Sequence, residues 1–208
     1  MWSMIKTHWI MSLIGLAILL TAVVSLIWAI ATREGDIGSF RGSKGQVLKW
    51  ETLPITCVYD PKNLDVGSIE MYDLVRQQIN KHFTKPLLGG CVPWALEMEM
   101  PELVPRELVL RIGRPAEPEV GVVVYDPFES EAGGTTYLME DTKGFVGAAQ
   151  VWISEAQKDD QRVWLHELGH VLGLDHDRLK DSVMYKTLTD RGTRLSGKDI
   201  EHLREVYE

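Results

Sequence analysis

The sequence predicts an α+β domain built on one mixed, twisted β-sheet. Three observations point to it: short β-branched runs set off by glycine, proline and acidic turns, two long stretches with apolar residues at helical spacing, and no internal repeat. A chain of 208 residues holds one principal domain plus appendages. Hydrophobic residues at 45% and charged residues at 25% are the proportions of a folded globular protein. The net charge of -8, with no basic stripe, argues against a nucleic-acid partner, because phosphate binding needs a surplus of Lys and Arg.

Residues 1–8 form a short N-terminal tail. Residues 9–31, WIMSLIGLAILLTAVVSLIWAIA, are an uncharged run long enough to cross a hydrocarbon core of about 30 Å as one helix. The run reads as a transmembrane anchor; the competing reading is a signal peptide, since Ala29-Ile30-Ala31 has the small-x-small form of a cleavage site. Lys6 precedes the span, whereas Arg33, Arg41, Lys44 and Lys49 follow it, a bare count that favours a cytoplasmic C-terminal part. The short tail and the chemistry below favour export instead. The expectation is a single-pass membrane protein with an extracytoplasmic domain, or a secreted one if residues 1–31 are removed. Residues 32–48 carry four glycines and two serines up to Val47 and read as a flexible linker between membrane and domain.

From Lys49 the pattern changes. KWETLPITCVYD ends in a strand-like stretch closed by the turn Asp60-Pro61. Ile69, Tyr72, Val75, Ile79 and Phe83 then fall at helical spacing and predict an amphipathic helix from Val66 to about Phe83, with His82 as a surface or capping residue. Leu108 to Ile112 and Val120 to Tyr125 read as strands separated by Gly113, Arg114 and Pro115, and DPFESEAGG after them as an acidic loop. Thr135 to Met139 and Ala148 to Ser154 read as two further strands. Near the C-terminus Ser196 is a fair N-cap with Asp199 three residues on, and Ile200, Leu203, Val206 and Tyr207 make an apolar stripe beside a surface His202. Cys57 and Cys91 have two readings, one disulfide in an exported domain or two buried thiols.

The chemistry is concentrated in HELGHVLGLDH, residues 166–176. Asp159 to Leu172 is expected to be helical, with acidic residues in its first turn and Gly173 as a left-handed cap. On that helix Trp164, Leu165, Leu168, Val171 and Leu172 gather on one face, while His166 and His170, four apart, share the opposite one and face a cleft. Two imidazoles one turn apart reach the same cation. A zinc ion held by three neutral histidines keeps its fourth position for water. Glu167 lies beside the pair, suited to take a proton from that water and return it to a leaving amine. Gly173 lets the chain turn so that His176 approaches as the third ligand. Five fixed letters at such spacing recur by chance on the order of once in ten thousand chains of this length, which a helix merely rich in histidine does not explain.

This stretch resembles the HExxHxxGxxH signature of the metzincin zinc endopeptidases, and Asp181-Ser182-Val183-Met184-Tyr185 looks like their Met-turn. The short gap from His176 to Met184, the tyrosine after the methionine and the closing LSGKDIEHLREVY are similar to the matrixin branch. The resemblance covers about Lys49 to Glu208. It implies a metzincin-like catalytic domain with a long N-terminal helix, an active-site helix and a C-terminal helix, here preceded by one transmembrane helix. It implies one catalytic zinc on His166, His170 and His176, with Glu167 as the base. Met184 would be a hydrophobic floor under the metal, and Tyr185 would line the substrate pocket. Gly134, Thr135, Thr136, Tyr137 and Leu138 would resemble the edge strand on which matrixins pair an extended peptide.

The departures matter too. VVVYDPFESEAGG has no histidine where matrixins hold a second, structural zinc, so one zinc is expected. Asp126, Glu129 and Glu131 suit calcium, or are a solvated acidic loop. Asp177 stands where animal matrixins commonly have serine and Lys186 where they have proline, and because the tether is short and carries no cysteine, no cysteine-bearing inhibitory segment is expected. The expected function is a membrane-tethered zinc metalloendopeptidase acting on a peptide or protein substrate. The alternatives are a non-catalytic anchored binding protein that retains the zinc site, or a zinc amidase acting on cell-wall peptides.

Overall fold

The computed structural model describes residues 38–95, 100–101, 103–113, 123–125, 133–187 and 192–208. The chain divides into two units, Met1–Asp36 and Ile37–Glu208, and all described residues belong to the second. The expected span at residues 9–31 and the acidic loop with Asp126, Glu129 and Glu131 lie outside the described residues. Among the described residues no helix is long and apolar enough to cross a membrane.

The elements in chain order are β1 (Ile55–Tyr59), α1 (Val66–Asn80), β2 (Leu88–Pro93), β3 (Glu107–Ile112), β4 (Val123–Tyr125), β5 (Gly134–Glu140), β6 (Val146–Ile153), α2 (Gln161–Val171) and α3 (Gly197–Tyr207). The strands form one sheet in the order β2-β1-β3-β6-β5-β4. β2, β1, β3 and β6 run parallel, and β5 runs antiparallel to both of its neighbours. The mixed sheet with three helices fits the expected α+β class. Alternation sorts the sheet's side chains: Leu108 and Leu110 join the main core under the helices, whereas Val109 packs with Val58 and Met100 in a smaller cluster.

α1 forms where its stripe predicts. Asp65 caps it by accepting from the Ser68 N–H at 2.7 Å, and Tyr72, Val75 and Ile79 are buried. The helix stops at Asn80, short of the expected Phe83, because the Asn80 side chain turns to the next strand. Its Oδ1 accepts from the N–H groups of Leu87 and Leu88, and its Nδ2 donates to the Leu88 carbonyl. That strand, β2, was not expected, since LGGCVP carries two glycines and a proline. It is held by pairing with β1, by Asn80 and by the Tyr72 hydroxyl on the Gly89 carbonyl at 2.9 Å. As an outer strand it tolerates Pro93. Cys57 and Cys91 stand in register on β1 and β2 and form a disulfide, with Cα atoms 4.2 Å apart. Closing 34 residues of sequence contributes about 4 kcal/mol in the chain-entropy picture.

The expected linker is not free over residues 38–48. The Phe40 N–H donates to the Gly173 carbonyl at 3.0 Å and the Asp175 N–H to the Gly38 carbonyl at 2.7 Å. Phe40 and Leu48 are buried in the main core. Glycine and serine content is local information, and two large apolar residues anchor the segment through contacts far away in sequence.

Candidate metal centre

The centre is built on α2 and the turn after it. Asp160 caps the helix by accepting from the Arg162 N–H at 2.9 Å, and the Arg162 guanidinium pairs back to it at 2.6 Å. The helix therefore starts at Gln161, two residues later than expected, and no acidic residue lies in its first turn. Its last carbonyls are not left open. Trp50 Nε1 donates to the Val171 carbonyl at 2.7 Å and the Tyr207 hydroxyl to the Leu172 carbonyl at 3.1 Å. Burial pushes the Tyr207 phenol far above its ordinary range, so it stays a donor. Gly173 takes φ of 91°, and a Cβ there would come within 2.5 Å of the Leu48 carbonyl oxygen, which excludes any side chain.

This turn brings His176 back to the helix. Its ring centroid lies 5.2 Å from that of His166 and 4.8 Å from that of His170. One nitrogen from each of the three falls within 4.8 Å of the others. The decisive detail is the second nitrogen of each helical histidine. His166 Nδ1 lies 2.8 Å from the Val183 carbonyl and His170 Nδ1 2.8 Å from the Leu174 carbonyl. A carbonyl only accepts, so both Nδ1 atoms carry the proton, and in the neutral rings Nε2 is the nitrogen suited to ligate. Those two Nε2 atoms face each other at 3.1 Å. In the neutral Nδ1–H tautomer both rings aim their Nε2 lone pairs at one spot, where a cation would be held. Tetrahedral zinc with bonds of about 2.0–2.1 Å wants its nitrogens about 3.3 Å apart. The three-histidine donor set and the 3.1 Å separation of its helical pair fit zinc.

The histidine face, expected to face a cleft, is largely enclosed. His166, Glu167 and His170 have no exposure, and only His176 is partly exposed. The strand β5, the Met-turn and Phe40 cover this side, the Phe40 ring lying 5.3 Å from that of His170. Met184 is fully buried under the helix, and a Cβ on Gly169 would run into its sulfur. The Met-turn is held from α3. Ser182 Oγ donates to Asp199 Oδ1 at 2.7 Å, the Val183 N–H reaches Oδ2 at 3.3 Å, and the Met184 N–H donates to Ser182 Oγ at 3.0 Å. Asp199 also completes the expected capping box with Ser196, so one buried carboxylate fixes both the helix start and the loop. Tyr185 is half-buried and bridges backbone to backbone with Asp177.

β5 is not the edge of the sheet. β4 pairs antiparallel with it through Thr136, Tyr137 and Leu138, so the outermost strand beside the centre is β4, and of the expected edge residues only Gly134 and Thr135 lie beyond that described pairing. Thr136 instead points to α2, its Oγ1 donating to Glu167 Oε2 at 2.7 Å. Sequence reasoning missed Phe40, Asp199 as holder of the Met-turn and this contact, none of which is encoded in local spacing.

The family description "Matrixin" matches residues 113–208. Metalloendoproteinase 4-MMP of Arabidopsis thaliana is 31% identical over 93 residues, which cover 39% of this chain and 27% of that protein. Matrilysin of Felis catus is 34% identical over 91 residues, covering 39% of this chain and 35% of its own. Metalloendoproteinase 2-MMP of Arabidopsis thaliana is 27% identical over 96 residues, covering 39% and 25% respectively. The matched region thus spans about a quarter to a third of the length of these relatives. The family match at residues 113–208 contains the three histidines, Glu167, the Met-turn and α3.

Proposed function

We propose, from the premise that residues 113–208 are those of a matrixin-like metzincin, that the protein is a zinc-dependent endopeptidase. The observation that carries the reading is the pair of Nε2 atoms facing at 3.1 Å, each ring backed by a main-chain carbonyl at Nδ1, with a buried glutamate next to the first. His166, His170 and His176 would hold zinc, which would supply Lewis acidity to a water and a peptide carbonyl. Glu167 accepts one proton from the attacking water as its oxygen bonds to the carbonyl carbon. It then delivers that proton to the nitrogen as the C–N bond breaks. The Val183 and Leu174 carbonyls keep both helical imidazoles in the ligating tautomer. An extended substrate reaches this point along the Gly134–Thr135 end of β5.

The domain works outside the cytoplasm in this reading, tethered through residues 9–31 or released when they are removed. The Cys57–Cys91 disulfide supports an oxidising compartment. Protease added to intact cells should degrade the domain, and complete protection would reverse the orientation.

The central test uses the full chain purified in detergent. Metal analysis should find one zinc per chain, and a peptide-library digest should show cleavage that a chelator abolishes. Glu167→Ala should keep zinc and lose at least about a hundredfold in hydrolysis, whereas His170→Ala should lose both. Hydrolysis retained by the Glu167 variant would refute the mechanism.

A further inference from the structure

The Glu167 carboxyl is bracketed by two residues of β5. Thr136 Oγ1 lies 2.7 Å from Glu167 Oε2 and 3.2 Å from the Glu167 main-chain oxygen. Both partners only accept, so the hydroxyl donates, and the shorter contact is the bond. Two residues back on the same face of the strand, Gly134 lies against the other side of the carboxyl, where a Cβ would stand 2.8 Å from Glu167 Cγ and 2.9 Å from Oε1. The oxygens therefore have different surroundings: a hydroxyl holds Oε2, and a missing side chain makes room for Oε1. Thr136 and Glu167 are both fully buried. Strand propensity does not account for the threonine, because valine suits a pleated, buried position as well and has no hydroxyl.

We propose that Thr136 is a positioning residue for Glu167: its hydroxyl fixes Oε2, so that Oε1 is the oxygen that receives the proton of the attacking water and passes it on. The inference rests on the peptidase reading above. In the step, the water oxygen bonds to the carbonyl carbon and one of its protons moves to Oε1. That proton goes to the departing nitrogen as the C–N bond breaks, the other stays with the new carboxyl group, and Thr136 keeps its own. The terminal torsion of a glutamate side chain is broad and roughly two-fold, so without the hydroxyl the carboxylate samples orientations that aim neither oxygen. The Thr136 hydroxyl is fully buried against Glu167. Its loss acts on the chemical step and leaves substrate affinity alone.

The experiment compares wild type, Thr136→Val and Thr136→Ser as full chains, on a quenched fluorescent peptide chosen from the wild-type library digest. All three should hold one zinc and melt within a few degrees of one another. The valine variant should lose about tenfold in kcat at unchanged KM, and the serine variant should stay within about twofold of wild type. If the valine variant does not accumulate, Thr136→Ala against Thr136→Ser reads the same difference. Wild-type kcat in the valine variant, or a serine variant as impaired as the valine one, would overturn the inference while the peptidase reading stands. A zinc-loaded wild type that cleaves no library peptide would overturn both.

Discussion

α1 and α2 lie on the same face of the sheet and use burial differently. α1 buries one stripe, Ser68, Tyr72, Val75 and Ile79, and leaves Leu74 half exposed to solvent. α2 buries every residue from Val163 to Val171, its histidines and glutamate included. A helix with one wet face needs partners for its apolar side only. One enclosed all round must find a bonded partner for each polar group, because an unsatisfied buried group costs about 1–3 kcal/mol. In α2 those partners come from β5, from the turn after the helix and from the Met-turn. The sequence of α1 is thus answerable mainly to its own periodicity, and that of α2 to residues spread from Phe40 to Asp199.

The same substitution should have opposite signs in the two helices. Gly169→Ala puts a methyl into the buried Met184 sulfur, so the zinc-loaded protein should lose about 1–2 kcal/mol even after the helix-propensity gain of about 1 kcal/mol. Urea unfolding measures it, and zinc should be released faster to a competing chelator. A neutral result would mean that α2 has slack, and the contrast with α1 would fail. Gly67→Ala in α1 meets only Asp65 Oδ1 at 3.6 Å, ordinary contact, and should stabilise by about 0.5 kcal/mol in the same assay.

A further effect is at the α1 cap. A hydrogen bond from Lys158, and then the Ser68 N–H, hold the Asp65 carboxyl at about 2 against an ordinary 3.8. A carboxyl depressed in the folded state stabilises fully above its unfolded value and less as pH falls through its folded one. Asp65→Ala should therefore cost about 1 kcal/mol at neutral pH. The wild-type and variant unfolding curves should draw together as pH drops from 3.8 toward about 2. A gap unchanged across that range would mean that the cap works without its charge.

This contrast also explains what could be read in the sequence. The α1 stripe, the Ser196–Asp199 box and the HELGHVLGLDH spacing are local patterns, and each appears where its pattern puts it. β2 was illegible because LGGCVP contradicts strand propensity and is held by Asn80 and β1. Residues 38–48 read as a linker for the same reason: Phe40 and Leu48 reach contacts more than a hundred residues away. The Thr136–Glu167 bond joins positions 31 apart on different elements, and β4 closes an edge that the resemblance implied was open. Periodicity located the metal ligands, and packing decided their surroundings.

The Tyr207 hydroxyl on the Leu172 carbonyl makes the end of the ligand-bearing helix depend on a residue synthesised later. The helix that carries two ligands emerges from the ribosome 35 residues before the hydroxyl that closes its end. At about 5–20 residues per second that interval is about 2–7 s. During it the nascent chain displays its histidines without α3 or Asp199 beneath the Met-turn. The metal site is therefore complete only once Tyr207 has been made, and a stall between Leu172 and Tyr207 would leave a ligand-bearing helix without its lock.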